Sequence, residues 1–211
     1  LGFFLYDILN RWEKILEKKN EIKRIGKYKE IKNELKKRLN TKERNGEWYK
    51  RAVTDDGNII GGSQCKEGKI DSIAQSWSII SEAGDNEKKY IALESAKKYL
   101  IDEENKIIKL LSPPFKDDDL DPGYIKRYPA GVRENGGQYT HSSIWLIMAF
   151  AKMGYITEAV KYLEMINPIT HTENIEKVKK YSVSCFPSSS YSLHIKYTTN
   201  TLFSYVLFDA Y

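Results

Sequence analysis

Six stretches of this 211-residue chain carry apolar residues at spacings of three, four and seven, the period of one face of an α-helix. They lie at residues 5–16, 28–39, 71–81, 87–100, 142–153 and 157–166, and no strand-like alternation is convincing before residue 181. Long polar connections separate several of them, which argues against a four-helix bundle with short loops. The sequence therefore predicts an all-α fold in which outer helices wrap inner ones, as in a helical toroid.

The apolar positions also predict which face of each helix is buried. The residues predicted to point inward are Leu5, Ile8, Leu9, Trp12, Ile15 and Leu16 in the first helix, Ile73, Ala74, Trp77 and Ile80 in the third, and Ala159, Val160, Leu163 and Ile166 in the sixth. The fifth stretch is apolar nearly all round, which is typical of a helix buried on every side. Asp71 or Ser72 is expected near the start of the third helix, and Gly154 at the end of the fifth.

The composition is that of a soluble globular protein, with 41% hydrophobic and 30% charged residues. No apolar run approaches the roughly 18 residues of a membrane span, so we expect no membrane contact by this segment. The net charge of +5 is concentrated before residue 52, where 16 Lys and Arg face 8 Asp and Glu. Because no aromatic platform accompanies that charge, the solvated faces of two helices are favoured over nucleic-acid binding.

Neither the cysteines nor the acidic run predicts a metal site. Cys65 and Cys185 are far apart and lack metal-ligand spacing, so we expect reduced thiols in a cytoplasmic protein. The run Asp117–Asp119 is interpreted as a solvated loop. The apolar start, "LGFFLYDIL", lacks a basic region and a cleavage site, so it is not interpreted as a signal peptide.

Hydrogen-bonding groups are densest in "YPAGVRENGGQYTHSSIW", residues 128–145, just before the apolar fifth helix. His141 lies at the start of that helix, where free N–H groups and the helix dipole favour anions. Arg133 can fork onto an anion, and Glu134 and Gln138 offer the bidentate groups that sugar hydroxyls favour. Tyrosines at positions 124, 128 and 139 could pack against a sugar ring. The pattern predicts a sugar and anion site, with a capped helix start and a core histidine as the open alternative.

A long connection precedes this stretch. The segment "SPPFKDDDLDPGYIKRYPAG", residues 112–131, contains four prolines and is predicted not to be helical. An irregular connection of that length in a compact domain usually signals function.

Four motifs resemble, in the same order, those of glycoside hydrolase family 94. They are "KIDSIAQSW" (69–77), "LLSPPF" (110–115), "DPGYIKRYPAGVRENGGQYTH" (121–141) and "MINPITHT" (165–172). The family includes cellobiose, chitobiose and β-1,2-oligoglucan phosphorylases, and the likeness is closest to the C-terminal domain of cyclic β-1,2-glucan synthases. It covers roughly residues 1–181 and implies part of an (α/α)6 barrel, the C-terminal part of the toroid. The implied reaction is inverting phosphorolysis of a β-glucosidic bond, with inorganic phosphate as a substrate and no cofactor.

The resemblance also assigns roles to individual residues. His141 matches the family's phosphate-binding histidine, and Glu134 matches the carboxylate that contacts sugar hydroxyls near the scissile bond. The further substrate-binding residues that it implies are Arg133, Gln138 and Tyr139. Asp71, Gln75 and Tyr128 are weaker candidates for the mouth of the site; packing or helix capping explains Asp71 and Gln75 equally well.

The same resemblance predicts what this chain lacks. The family's general-acid aspartate belongs to a "DWNDG"-type motif upstream of the segment that corresponds to Leu1. The family's phosphate-binding arginine is expected elsewhere in the upstream half of the barrel. We therefore expect no catalytic acid here and no activity from the chain alone. The expected ligands are a β-glucan oligosaccharide and phosphate. The resemblance is compatible with a homodimer of the full enzyme, because family phosphorylases are often dimers, but the sequence does not determine the oligomeric state. The full enzyme is expected to be a membrane protein if it is a cyclic glucan synthase.

Residues 182–211 differ from residues 1–181, which are predicted to form the partial barrel. They contain seven serines, and Lys196 and Asp209 are their only full charges. This change in composition predicts either a frameshifted or unrelated tail, or a divergent end that forms strands. The competing functional class is a non-catalytic helical module that binds glucan or serves as a scaffold.

Overall fold

A computed structural model describes residues 1–42, 44–117, 120–173 and 176. Within them the chain is mostly helical. The α-helices are α1 (Gly2–Lys18), α2 (Ile22–Thr41), α3 (Ser72–Ile80), α4 (Asn86–Leu100), α5 (Thr140–Lys152), α6 (Ile156–Met165) and α7 (Pro168–His171). The strands are β1 (Arg44–Asn45), β2 (Trp48–Tyr49), β3 (Ala52–Val53), β4 (Ile59–Ile60), β5 (Ile70–Asp71), β6 (Ile101–Asp102), β7 (Ile107–Ile108) and β8 (Leu111–Ser112).

The helices form two layers. In the first layer α3 packs against both α1 and α5, and in the second layer α2, α4 and α6 pack on α1, α3 and α5 respectively. The short strands pair antiparallel as β1–β2, β3–β4, β5–β8 and β6–β7. Helices α1 to α6 thus pack in pairs, as the sequence predicts, and their arrangement in a toroid stays a prediction.

Apolar side chains fill the space between the layers. Those that are fully buried include Tyr49, Leu93, Leu100, Ile108, Leu146, Phe150 and Tyr162. Phe150 of α5 meets Tyr162 of α6 edge to face, with ring centroids 5.2 Å apart. This core fixes α5 between α3 and α6.

Backbone hydrogen bonds hold the first residues of α3 and α5 at the same end of the layer. The Leu110 carbonyl accepts from the amide of Ser72, the first residue of α3, at 2.8 Å. The Leu110 amide donates to the carbonyl of Gly137, three residues before α5, at 2.9 Å. At the far end, the Lys152 ammonium group donates to the Ile80 carbonyl at 2.9 Å. The two helices therefore run parallel, with adjacent N-termini.

Two of the predicted buried faces are wrong. Helix α1 buries Phe3, Tyr6, Leu9, Glu13 and Leu16, whereas Leu5, Ile8, Trp12 and Ile15 are each 42–46% exposed. Helix α6 buries Tyr162 and Met165 beside the predicted Ala159 and Ile166, but leaves Val160 and Leu163 about half exposed. Both helices have more apolar surface than their packing partners cover, so the centre of the apolar stripe does not mark the contact.

Helix α3 buries several of its polar residues. Its bounds match the prediction, but Ser72, Gln75, Ser76 and Ser78 are buried while Trp77 is only half-buried. The Ser76 and Ser78 hydroxyl groups donate to the carbonyls of Ser72 and Gln75 at 2.6 and 2.7 Å. Small hydroxyl side chains that bond their own helix can lie in a crowded interface between helices.

Two further predictions need correction. Residues 123–127 form a 3₁₀ helix, Gly123–Arg127, inside the proline-rich connection that was predicted to contain no helix. Helix α5 is not buried on every side, because His141 and Met148 are exposed. Gly154 does end α5, with a φ of +89° and its amide bonded to the Ala151 carbonyl.

In the part of the chain that the structure describes, no helix is long and apolar enough to cross a membrane. Cys65 is a free thiol whose sulfur atom lies 3.1 Å from the Ile59 carbonyl oxygen. Cys185, Asp118, Asp119 and the predicted tail at 182–211 lie outside the described residues.

Candidate functional site

A tight, glycine-rich turn precedes α5 and carries most of the predicted site residues. The Gly131 amide donates to the Asn135 carbonyl at 2.8 Å, and the Gly137 amide to the Arg133 carbonyl at 3.0 Å. A Cβ atom at Gly136, where φ is +82°, would lie 2.9 Å from the Cβ atom of Pro114. At Gly137 it would lie 2.8 Å from the Arg133 backbone. The glycine pair is therefore required by close backbone packing as well as by conformation.

Glu134 carries a carboxylate oxygen that accepts no hydrogen bond. Its side chain is 17% exposed, and its buried Oε2 atom has an ion-pair neighbour but no hydrogen-bond donor among the described residues. The Arg133 Nε atom lies 3.7 Å from Oε2, too far for a hydrogen bond, while the Arg133 guanidinium packs over the Tyr128 ring at 4.7 Å. Buried polar atoms are normally satisfied, so this oxygen is an acceptor available to a donor such as a sugar hydroxyl.

His141 is the second residue of α5 and is exposed. Its ring lies between those of Tyr139 and Trp145, with centroids 5.9 and 6.3 Å away. Tyr139, half-buried, is the N-cap residue, and its side chain makes no capping hydrogen bond. An imidazole beside the uncapped start of a 13-residue helix is a suitable environment for an anion.

Gln138 and Gln75 serve the fold. Gln138 is buried, and its Oε1 atom accepts the Ile108 amide at 3.1 Å. Gln75 is fully buried; its amide group accepts from the Tyr49 amide and donates to the carbonyls of Tyr49 and Asp71, all at 2.9 Å. For Gln75 these bonds favour the packing role that the sequence left open.

Asp71 caps α3. Its Oδ1 atom accepts the Ile73 and Ala74 amides at 2.8 and 3.4 Å, and Oδ2 lies 3.5 Å from Arg51 Nε. Burial raises the pKa of this carboxyl group, against the opposing effect of the Arg51 charge. The capping role that the sequence offered as an alternative is thus observed, and Arg51 is a neighbour that the sequence did not indicate.

Asn135 is the residue of the turn whose contacts the sequence did not predict. Its side chain is fully buried and bonds Phe115 and Tyr128, which belong to the proline-rich connection. An asparagine between a charged residue and two glycines is an ordinary turn residue, so spacing alone carried no signal for these long-range bonds.

The turn thus carries a guanidinium group and a carboxylate oxygen that accepts no hydrogen bond, and the helix that follows it carries an exposed imidazole at its start. Such a set can hold an anion beside a hydroxyl-rich ligand. Within the ranges that the structure describes, no group of three or more His, Cys, Asp or Glu side chains is placed to hold a metal ion.

A mostly helical domain with a candidate site for an anion and a hydroxyl-rich ligand is the class that this fold and site indicate. The profile of the glycosyl hydrolase 94 superfamily catalytic domain matches residues 1–187, and the chain belongs to that family. Membership confirms the resemblance on which the site residues were assigned.

Curated relatives include both synthases and phosphorylases. The chain is 43% identical over 129 residues to the cyclic beta-(1,2)-glucan synthase NdvB of Rhizobium meliloti (strain 1021), a match that covers 61% of this chain and 5% of the relative. It is 27% identical over 125 residues to N,N'-diacetylchitobiose phosphorylase of Vibrio proteolyticus, covering 59% and 15%. It is 29% identical over 146 residues to cellobionic acid phosphorylase of Neurospora crassa, covering 69% and 18%. The chain therefore spans less than a fifth of the length of these relatives.

Proposed function

We propose that this chain supplies the phosphate-binding histidine and a sugar-binding carboxylate to a carbohydrate phosphorylase or glucosyltransferase that acts on β-glucosidic bonds. Its two-layer helices would form the C-terminal part of an (α/α)6 barrel, with the site at the N-termini of inner helices α3 and α5. The relatives named as glucan synthase and phosphorylases support this class of reaction.

The observation that carries the proposal is the unsatisfied Oε2 atom of Glu134, close in sequence to an exposed His141 at the start of α5. A sugar hydroxyl would donate to Oε2, and an inorganic phosphate would lie against the His141 imidazole and the free amides of the first turn. Gln138 would hold the turn in place through its bond to the Ile108 amide, and Arg133, Tyr139 and Tyr128 would support the sugar side. Tyr128 does so by holding the Arg133 guanidinium.

In the proposed reaction a phosphate oxygen attacks the anomeric carbon from the face opposite the glycosidic oxygen. The bond from that carbon to the glycosidic oxygen breaks, and the departing oxygen takes a proton from a carboxylic acid outside this chain. The products are an α-glucose-1-phosphate and a shortened glucan. Phosphate is itself the nucleophile, so a base carboxylate is unnecessary and a cradle of positive and N–H groups takes its place.

The proposal is tested by expressing the gene product that contains this chain and measuring phosphate-dependent release of glucose-1-phosphate. β-1,2-, β-1,3- and β-1,4-glucans serve as parallel substrates. Release from one linkage supports the proposal and identifies the substrate. No release from any of them, together with glucan binding by the 211-residue chain, would instead support a non-catalytic glucan-binding module.

A further inference from the structure

We propose that Asn135 is a positioning residue, a clamp that ties the proline-rich connection to the turn and so fixes the orientation of Arg133 and Glu134. The clamp itself is a property of the fold, whereas its effect on catalysis rests on the proposed function. Asn135 would act on the substrate only indirectly, through Arg133 and Glu134.

Every polar atom of the Asn135 side chain is used. Nδ2 donates to the carbonyls of Phe115 and Tyr128, both at 2.8 Å, and Oδ1 accepts the Phe115 amide at 2.7 Å. The side chain is fully buried, so water cannot replace these bonds without opening the loop. Two positions of the proline-rich connection, Phe115 and Tyr128, thus meet the turn at this one amide group.

The anchored segments are themselves held tightly. Phe115 is 1% exposed and packs so closely on Gly68 that a Cβ atom there would lie 2.2 Å from the Phe115 ring. Gly136 leaves similarly little room beside Pro114. Asn135 thus joins the turn to a rigid part of the fold.

The clamp explains an unfavourable backbone conformation. Arg133 has a φ of +51°, in the left-handed region that non-glycine residues rarely adopt. Such a conformation persists only where its surroundings enforce it. Here Asn135 binds the Tyr128 carbonyl while the Tyr128 ring packs on the Arg133 guanidinium, which closes a loop of contacts that includes Arg133. Arg133 Nε lies 3.7 Å from Glu134 Oε2, so the loop acts on Glu134 through this ion pair and through the adjacent backbone.

The first test uses the 211-residue chain and hydrogen exchange followed by NMR. In the unmodified chain we expect the Phe115 amide to be protected like the Ile108 amide, which also donates to a buried side-chain amide oxygen. Free exchange of the Phe115 amide would overturn the clamp without any variant.

In an Asn135→Ser variant we expect Phe115 exchange about tenfold faster than in the unmodified chain, with Leu146 in α5 unchanged. The Trp48 indole N–H, bonded to the Gly61 and Lys69 carbonyls, reports whether the variant folds. Asn58→Ser, the same change at an exposed turn, is the matched control. Equal Phe115 exchange in a folded Asn135→Ser chain would contradict the clamp.

The second test uses the complete gene product. Loss of folded protein lowers the apparent kcat and leaves KM unchanged, whereas misplacement of Arg133 and Glu134 weakens sugar binding. We therefore expect Asn135→Ser to raise KM for the glucan about tenfold and to leave KM for phosphate nearly unchanged. A fall in kcat alone would show that Asn135 stabilises the fold and does not position Arg133 and Glu134. An inactive wild-type enzyme would contradict the proposed function, and the exchange experiment would still decide on the clamp.

Discussion

Two buried tyrosines differ in whether the hydroxyl group has a partner. Tyr49 and Tyr162 are both fully buried; the Tyr49 hydroxyl donates to Asn40 Oδ1 at 2.9 Å, whereas the Tyr162 hydroxyl bonds nothing among the described residues. An intact hydrogen bond contributes about 1 kcal/mol, and an unsatisfied buried hydroxyl costs about as much or more. The same Tyr→Phe change should therefore act with opposite signs at the two positions.

We expect Tyr49→Phe to lower the free energy of unfolding by about 1 kcal/mol and Tyr162→Phe to raise it by about 1 kcal/mol at neutral pH. Urea unfolding followed by circular dichroism measures both differences. A Tyr162→Phe variant less stable than the unmodified chain would show that the hydroxyl group has a partner in solution.

The same burial predicts a loss of stability in alkali. It raises the pKa of Tyr49 and Tyr162 from 10.0 to about 12. Between pH 10 and 12 the tyrosine hydroxyl groups lose their protons in the unfolded chain but keep them in the folded chain. The free energy of unfolding is therefore unaffected by these groups below pH 10 and decreases as the pH rises toward 12. The advantage of Tyr162→Phe over the unmodified chain should accordingly grow above pH 10. An advantage that stays constant across this interval would contradict the assignment.

At the scale of elements, α3 depends on its N-cap. The Asp71 carboxylate bonds two amides of the first turn, and asparagine can accept the same bonds without a buried charge. We expect Asp71→Ala to cost about 1–2 kcal/mol, and Asp71→Asn to cost less or to stabilise the fold. Thermal unfolding of the two variants makes the comparison. Equal losses would mean that the ion pair with Arg51, and not the cap, holds this helix start.

The bounds of α3 were predictable because its cap residue, Asp71, directly precedes the helix in sequence. Its buried face was not, because α1, α4 and α5 all pack on this one short helix and select small side chains where they approach closely. Similarly, Glu134 and His141 were predicted as site residues from a contiguous motif. The Asn135 clamp depends on Phe115, 20 residues away, and such a contact is created only when the chain folds.

At the scale of the whole molecule, α1 presents a second apolar face to solvent. Phe4, Leu5, Ile8, Trp12 and Ile15 are each 42–48% exposed, and the Phe4 ring meets Trp77 at 4.9 Å. Apolar patches of this kind favour association and dye binding. The face lies beside α3, in the layer of helices that carries the site.

We expect the triple variant Leu5→Gln, Ile8→Gln and Trp12→Gln to bind less of the fluorescent dye ANS and to self-associate less, with little change in melting temperature. Leu9→Gln, a change to a buried residue of the same helix, should unfold the chain and serves as the contrast. Dye fluorescence and light scattering measure these effects. A large loss of stability in the triple variant would show that this face is packed in solution.

The central claim is that His141 binds the phosphate substrate. Its most direct test is the phosphate dependence of glucose-1-phosphate release. This is measured in the gene product that contains this chain and in its His141→Ala variant. Removal of one donor from an anion cradle reduces catalysis by about 10²–10³-fold, and we expect a loss of that order in kcat/KM for phosphate. Glu104→Ala, at an exposed position far from α5 in sequence, is the control and should leave the rate unchanged. A His141→Ala enzyme with the phosphate dependence of the wild type would contradict the account.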